Sequence, residues 1–214
     1  GGGRRDYALS GRPVAVAAGH HAIWVLALGG RTDRLLRLDP ATARWTVQAH
    51  LPVRSGVDTL TYGFGDLWLV SSKTATLYRV DPRLASVDPV DLGHSAGRPV
   101  AMRGDVWVGI SDRGGGTVLV NPRTLLRDAR TGCCPGDVGL VGSVGDQTTG
   151  AFGSVWSYDV GDGEVERWNP PDLASVIQVT HSPSYNGSCM TSLAASSDAV
   201  WVTLAPASGY ACTF

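Results

Sequence analysis

Three arginines stand in related phrases: Arg12 in GRPVAV, Arg54 in RSGVDTL and Arg98 in GRPVAM. A guanidinium is planar, permanently charged and presents its N–H groups as a fork. A set converging on one opening would therefore pair with a carboxylate or phosphate. His94, His181 and Tyr185 fall in comparable stretches between apolar runs and would complete such an anion site. The competing reading is local, with each arginine hydrogen-bonded to a neighbouring loop carbonyl or Asp. Other chemistry is sparse. There are five histidines, and His20 and His21 read as a hairpin just before Trp24. DVGDGEVE at 159–166 offers Asp159, Asp162 and Glu164, but lacks the length and terminal Glu of an EF-hand loop; its plainer reading is a hairpin, since Asp-Gly is a hairpin signal. No Gly-x-Ser-x-Gly elbow or phosphate loop occurs in a convincing setting. The expectation is a ligand site with no catalytic residue, no metal and no cofactor.

The elements that must carry these residues are set by a repeat. Five of the seven tryptophans share one phrase: HAIWVL, GDLWLV, GDVWVG, GSVWSY and DAVWVT, around Trp24, Trp68, Trp107, Trp156 and Trp201. The steps are 44, 39, 49 and 45 residues. Asp-Pro or Asn-Pro follows four of them after 13 to 15 residues, at Asp39, Asp81, Asn121 and Asn169. Proline fixes its own φ and drives the preceding residue out of the helical region, so each pair marks a turn. Each repeat thus reads as four short strands. In the second unit these are 57–63, 67–72, 76–82 and the stretch around Val87–Leu92. The chain holds 28 Gly and 12 Pro, while Glu164, Glu166 and Lys73 are its only Glu and Lys, which argues against exposed helix faces. A four-strand repeat with a period in the forties fits a β-propeller blade. The Trp strands are apolar on both sides, which suits strands covered on both faces. The tryptophans are therefore expected in the packing between blades.

The expectation is an all-β propeller of five four-stranded blades forming a single domain over 1–214. The fifth unit is short, since only ASGYACTF follows DAVWVTLAP. Residues 5–9 read as an outer strand without a blade of their own. Pairing them with the strand holding Cys212 would close the ring and remove its exposed edges; a fragment of a larger propeller is the alternative. Of the four cysteines, none has metal-type spacing. Cys189 and Cys212 fall in one blade and are expected to form a disulfide. Cys133 and Cys134 are adjacent, and their state is left open. The net charge of −1 and the absence of any basic run beyond two residues disfavour nucleic acid. No apolar run is long enough to span a bilayer, so no membrane insertion of this segment is expected.

The phrases GDLWLV…LYRVDP and GDVWVG…VLVNP resemble those of actinobacterial propellers with YVTN-like or virginiamycin-B-lyase-like repeats. That resemblance implies an extracytoplasmic sensor or interaction domain, part of a larger membrane-anchored protein with an attached kinase or regulator. Its partner would be a small anionic ligand, a protein or a cell-wall component. The second function class is an enzyme, a lyase or glycoside-cleaving hydrolase acting at the channel mouth. It would require clustered carboxylates and histidines there. No inner-strand Glu is found, and no catalytic residue is carried over.

Overall fold

Among the described residues, four of the five Trp phrases begin at a two-residue turn. The turn pairs are His20-His21, Phe64-Gly65, Arg103-Gly104 and Phe152-Gly153, and every one of these residues has a positive φ. Two successive left-handed residues match the twist of the flanking strands and close the tightest hairpin. The glycine of the GDLWLV and GDVWVG phrases is thus the second turn residue. In the first repeat His21 takes that place at φ 54°. The structure is a computed structural model and describes residues 8–9, 11–29, 32–52, 55–110, 117–130, 148–159, 164–168, 176–181, 188–195 and 199–206.

All regular structure among these residues is β. The first sheet is β1 (Arg12–Gly19), β2 (Ala22–Leu28), β3 (Arg34–Asp39) and β4 (Arg44–His50). The second is β5 (Thr59–Gly63), β6 (Asp66–Ser71), β7 (Thr76–Val80) and β8 (Val87–Asp91). The third is β9 (Ala96–Met102), β10 (Asp105–Ile110), β11 (Thr117–Val120) and β12 (Arg127–Arg130). The fourth is β13 (Thr148–Ala151), β14 (Ser154–Asp159), β15 (Glu164–Trp168) and β16 (Val176–His181). A two-stranded sheet of β17 (Ser188–Ala195) and β18 (Val200–Pro206) follows. Each four-stranded sheet is an antiparallel meander in chain order. The strands expected in the second repeat from its sequence agree with β5–β8 to within two residues at each end. The chain divides into two compact units, 1–93 and 94–214.

Two devices recur with the repeat. The first is an indole clamp: Trp24 Nε1 donates to the Gly19 carbonyl at 2.9 Å, and Trp68 to Gly63 at 3.0 Å. Trp107 donates to Met102 at 3.2 Å and Trp156 to Ala151 at 3.1 Å. Each indole spans its own hairpin to the residue five earlier, so its one polar atom is satisfied while the ring is buried in Trp24, Trp68 and Trp107 and half-buried in Trp156. The second device is the turn at Asp39, Asp81 and Asn121. Each side-chain oxygen accepts backbone N–H groups two and three residues on, from Ala41 and Thr42, Arg83 and Leu84, and Arg123 and Thr124. A backbone bond from the fourth residue then closes the turn, with Ala43, Ala85 or Leu125 at positive φ. Asn and Asp serve equally because both offer an acceptor oxygen.

In unit 1 the core joins the two sheets: Trp24, Leu26, Leu35 and Ala49 meet Leu60, Leu67, Leu69, Tyr78 and Val80. Gly19 is required there, because a Cβ would fall 2.0 Å from the Tyr62 ring. In unit 2, Val100, Trp107 and Leu119 pack with Val155, and Val165 and Leu193 pack with Trp156 and Val200 at their margin. A Cβ on Gly150 would meet Val100 Cγ1 at 2.7 Å. The expectation of buried tryptophans fits Trp24, Trp68 and Trp107, whereas Trp201 is 61% exposed.

Candidate functional site

In a meander the connections alternate between two edges. One edge carries the Trp hairpins and the Asx-Pro turns. The opposite edge carries the hairpins between second and third strands and the passages from one sheet to the next. Of the residues singled out from sequence, the described ones, Arg12, His94, Arg98 and the backbone of His181, fall toward this second edge. Arg12 is the first residue of β1 and is exposed. Arg98 is the third residue of β9 and half-buried, and desolvation pulls its pKa below the ordinary arginine value. His94 is exposed in the β8–β9 connection, four residues before Arg98. No atom lies within 4 Å of where a Cβ on Gly97 would sit, so space is open beside the Arg98 backbone.

The identical GRPVA stretches do not occupy identical heights. Pro13 pairs with Ala27, three residues past Trp24, whereas Pro99 pairs with Val108, one residue past Trp107. Arg98 is thus the nearer of the two to its own hairpin. Both sheets are bulged close by, between Pro13 and Ala15 and between Val108 and Ile110. Arg98 and His94 belong to one unit and Arg12 to the other. Arg54 and Tyr185 lie outside the described residues, and of His181 only the backbone, at the end of β16, is described.

Sequence reading missed a polar network on the same edge of unit 1. Ser55, 3% exposed, donates its hydroxyl to Asp33 Oδ2 at 3.0 Å. The Ser72 hydroxyl donates to Asp58 Oδ2 at 2.5 Å, and Thr32 meets His50 Nδ1 at 3.3 Å. Desolvation raises the Asp58 carboxyl above its ordinary pKa, with the Ser72 hydroxyl opposing. No motif announces these pairs, because the partners are 14 to 22 residues apart in the chain. On the Trp-hairpin edge, Arg79 donates from Nε and Nη2 to one oxygen of Asp88, at 3.2 and 2.6 Å. Asp66 nearby is raised by desolvation, an effect that Arg79 counters and the Asp81 and Asp88 charges reinforce.

The expected Cys189–Cys212 disulfide, the Cys133-Cys134 pair and the strand over residues 5–7 lie outside what is described, since Cys189 is described as backbone only. Ala8 and Leu9 are described and form no strand. With Leu36, Trp45, Thr46 and Val47 they line an apolar hollow of about 410 Å³ on the first sheet. At the 159–166 stretch, Asp159 pairs with Glu164 across β14 and β15, as a hairpin requires. Among the described residues, no three His, Cys, Asp or Glu side chains are grouped to hold a metal ion. No helix among them is long and apolar enough to cross a membrane.

No protein-family model matches the chain, and no curated protein matches it. Solved structures do. BamB from Moraxella catarrhalis superposes with a TM-score of 0.57 at 15% identity, over 92% of this chain and 59% of that one. The fold is that of a β-propeller. The extracellular domain of a proposed one-component system from B. thetaiotaomicron matches with a TM-score of 0.54 at 14% identity, over 85% of this chain. This propeller spans 59% of the first structure's length and 25% of the second's. At such identities the likeness is one of fold, in keeping with how many functions one propeller architecture hosts.

Proposed function

We infer that the chain is a binding propeller without catalytic function, an extracytoplasmic sensor domain of a larger membrane-anchored signalling protein of the YVTN-like type. Its five repeats read as one domain over 1–214. Its ligand carries an anionic group, whether a small molecule or part of a protein or cell-wall component. The ligand engages the edge of unit 2 where sheet-to-sheet passages and first strands meet, through Arg98 and His94, with His181 and Tyr185 of the same unit as further candidates; Arg12 and Arg54 are the corresponding candidates of unit 1. The observation that carries this reading is Arg98, a half-buried guanidinium on a first strand with open space beside Gly97. Its guanidinium presents several N–H donors in a planar fork, the geometry that suits a carboxylate or phosphate. The match to an extracellular domain supports the sensor role as an analogy of fold.

A thermal-shift screen of carboxylates, phosphates and peptidoglycan fragments against the full chain tests this. An anionic compound is expected to raise the melting temperature, and Arg98→Ala is expected to fold and lose that response. A hit whose shift survives in both Arg98→Ala and His94→Ala would remove the site.

A further inference from the structure

The hairpin tip of the first sheet departs from its own repeat. In the tips at Phe64-Gly65, Arg103-Gly104 and Phe152-Gly153 the second residue is glycine, at φ 91°, 94° and 69°. No atom lies within 4 Å of a Cβ built on Gly65 or Gly104, so conformation, not space, selects glycine there. The first sheet has His21 at that place, at φ 54°, directly after His20 at φ 52°. Histidine enters the left-handed region more readily than most residues, yet glycine does so without cost. Packing does not call for an imidazole either, since both side chains are exposed. An exposed residue kept in a costly conformation points to a use for its side chain.

The geometry says which use. The two rings stand with centroids 6.4 Å apart and planes inclined at 45°. A metal–imidazole bond of about 2.0–2.1 Å puts a ring centre about 3.2 Å from the ion, so two rings on one ion have centres at most about 6.4 Å apart. The pair stands at that limit, and exposed side chains come closer by turning between staggered χ angles. The backbone beneath them is fixed. Gly19 and Ala22 pair across the turn, the Gly19 carbonyl accepts Trp24 Nε1 at 2.9 Å, and a Cβ on Gly19 would fall 2.0 Å from the Tyr62 ring. The two imidazoles are thus carried on a rigid tip, which limits the entropy lost when both engage one ligand.

We propose that His20 and His21 together bind one divalent transition-metal ion, through one ring nitrogen each, with water in the remaining positions. Imidazole suits zinc, copper and nickel, whereas calcium and magnesium take oxygen ligands. With two protein ligands this is an exchangeable surface site, unlike the closed four-ligand sites that hold a fold together. The tip belongs to unit 1 and to the edge of the Trp hairpins, so it stands or falls apart from Arg98 and His94 of unit 2.

Zinc titration of the full chain, followed through the side-chain nitrogen resonances of its histidines, tests the proposal. Those of His20 and His21 are expected to move together and to saturate with a single Kd below about 100 μM. His21→Gly restores the glycine of the other tips, and His20→Asn suits the first left-handed place, so both keep the fold. In each variant the remaining imidazole is expected to bind zinc about tenfold or more weakly, whereas His50→Ala leaves the pair unchanged. Resonances of His20 and His21 that titrate independently, or that do not move up to about 1 mM zinc, would overturn the proposal. So would an affinity within about twofold of the parent in both His21→Gly and His20→Asn.

Discussion

Asp39 and Asp58 show how differently two carboxylates of one chain answer to pH. The Asp39 pKa is lowered, first by the Ala41 backbone N–H and then by that of Thr42. Its contribution to stability is therefore present above the ordinary value of 3.8 and fades as pH falls through the lower folded-state value. Asp58 has the opposite sign. Desolvation raises it, so the native state holds a proton that the unfolded chain releases from about 3.8 upward. Stability is lost as pH rises from there through the folded-state pKa. Asp58→Asn keeps an acceptor for Ser72 but never ionises. The variant is expected to be close to the parent at pH 3 and more stable at pH 7, with the gain accruing above 3.8. Urea denaturation across that range measures it, and a difference that does not change with pH would count against a desolvated carboxyl at Asp58.

The repeat was legible at the scale of elements because its parts are chemically distinctive. The turn pair, the indole five residues past its acceptor carbonyl and the Asx-Pro turn each need particular residue types at particular steps. What could not be read was height along a strand. GRPVA occurs twice in identical letters, yet Pro13 and Pro99 sit at different distances from their Trp partners. A bulge shifts register by a residue without leaving a signal in local composition. The Ser55–Asp33 and Ser72–Asp58 pairs were equally hidden, since they form only when separate connections come together. The indole clamp carries its own expectation. Trp68→Phe and Trp107→Phe remove one buried hydrogen bond each and part of a buried ring, a cost of about 1–2 kcal/mol. Trp201→Phe, at an exposed ring, is expected to cost under about 0.5 kcal/mol. Chemical denaturation that ranks the three equally would show that burial of the indole is not what the repeat conserves energy through.

At the scale of the whole molecule, the first sheet carries a second apolar face on the side turned away from the second sheet. Trp24, Leu26, Leu35 and Ala49 face the shared core of unit 1. The row Val16, Val25, Leu36 and Val47, paired across β1 to β4, is the alternate set. Val16 and Val47 are 57% and 48% exposed at its ends, while Leu36 is 4% exposed at the hollow bounded by Ala8 and Leu9. Ala8 and Leu9 therefore lie along an apolar sheet face. The sequence reading assigns residues 5–9 as the outer strand of the short fifth repeat, paired with the segment that holds Cys212. Deleting residues 1–10 uncovers the hollow in either case. Exposing one leucine costs about 1.5–3 kcal/mol, and each kcal/mol lowers the melting temperature of a chain this size by about 2–4 °C. A fall of several degrees is expected, and an unchanged melt would leave the segment without a structural role. Hydrogen exchange then tells its partner. If residues 5–9 complete the fifth repeat, the deletion speeds exchange at 199–206 as well as in β3 and β4, because a strand edge is opened there. Faster exchange confined to β3 and β4 would mean that the segment only covers the first sheet, and that the fifth repeat is completed by other means.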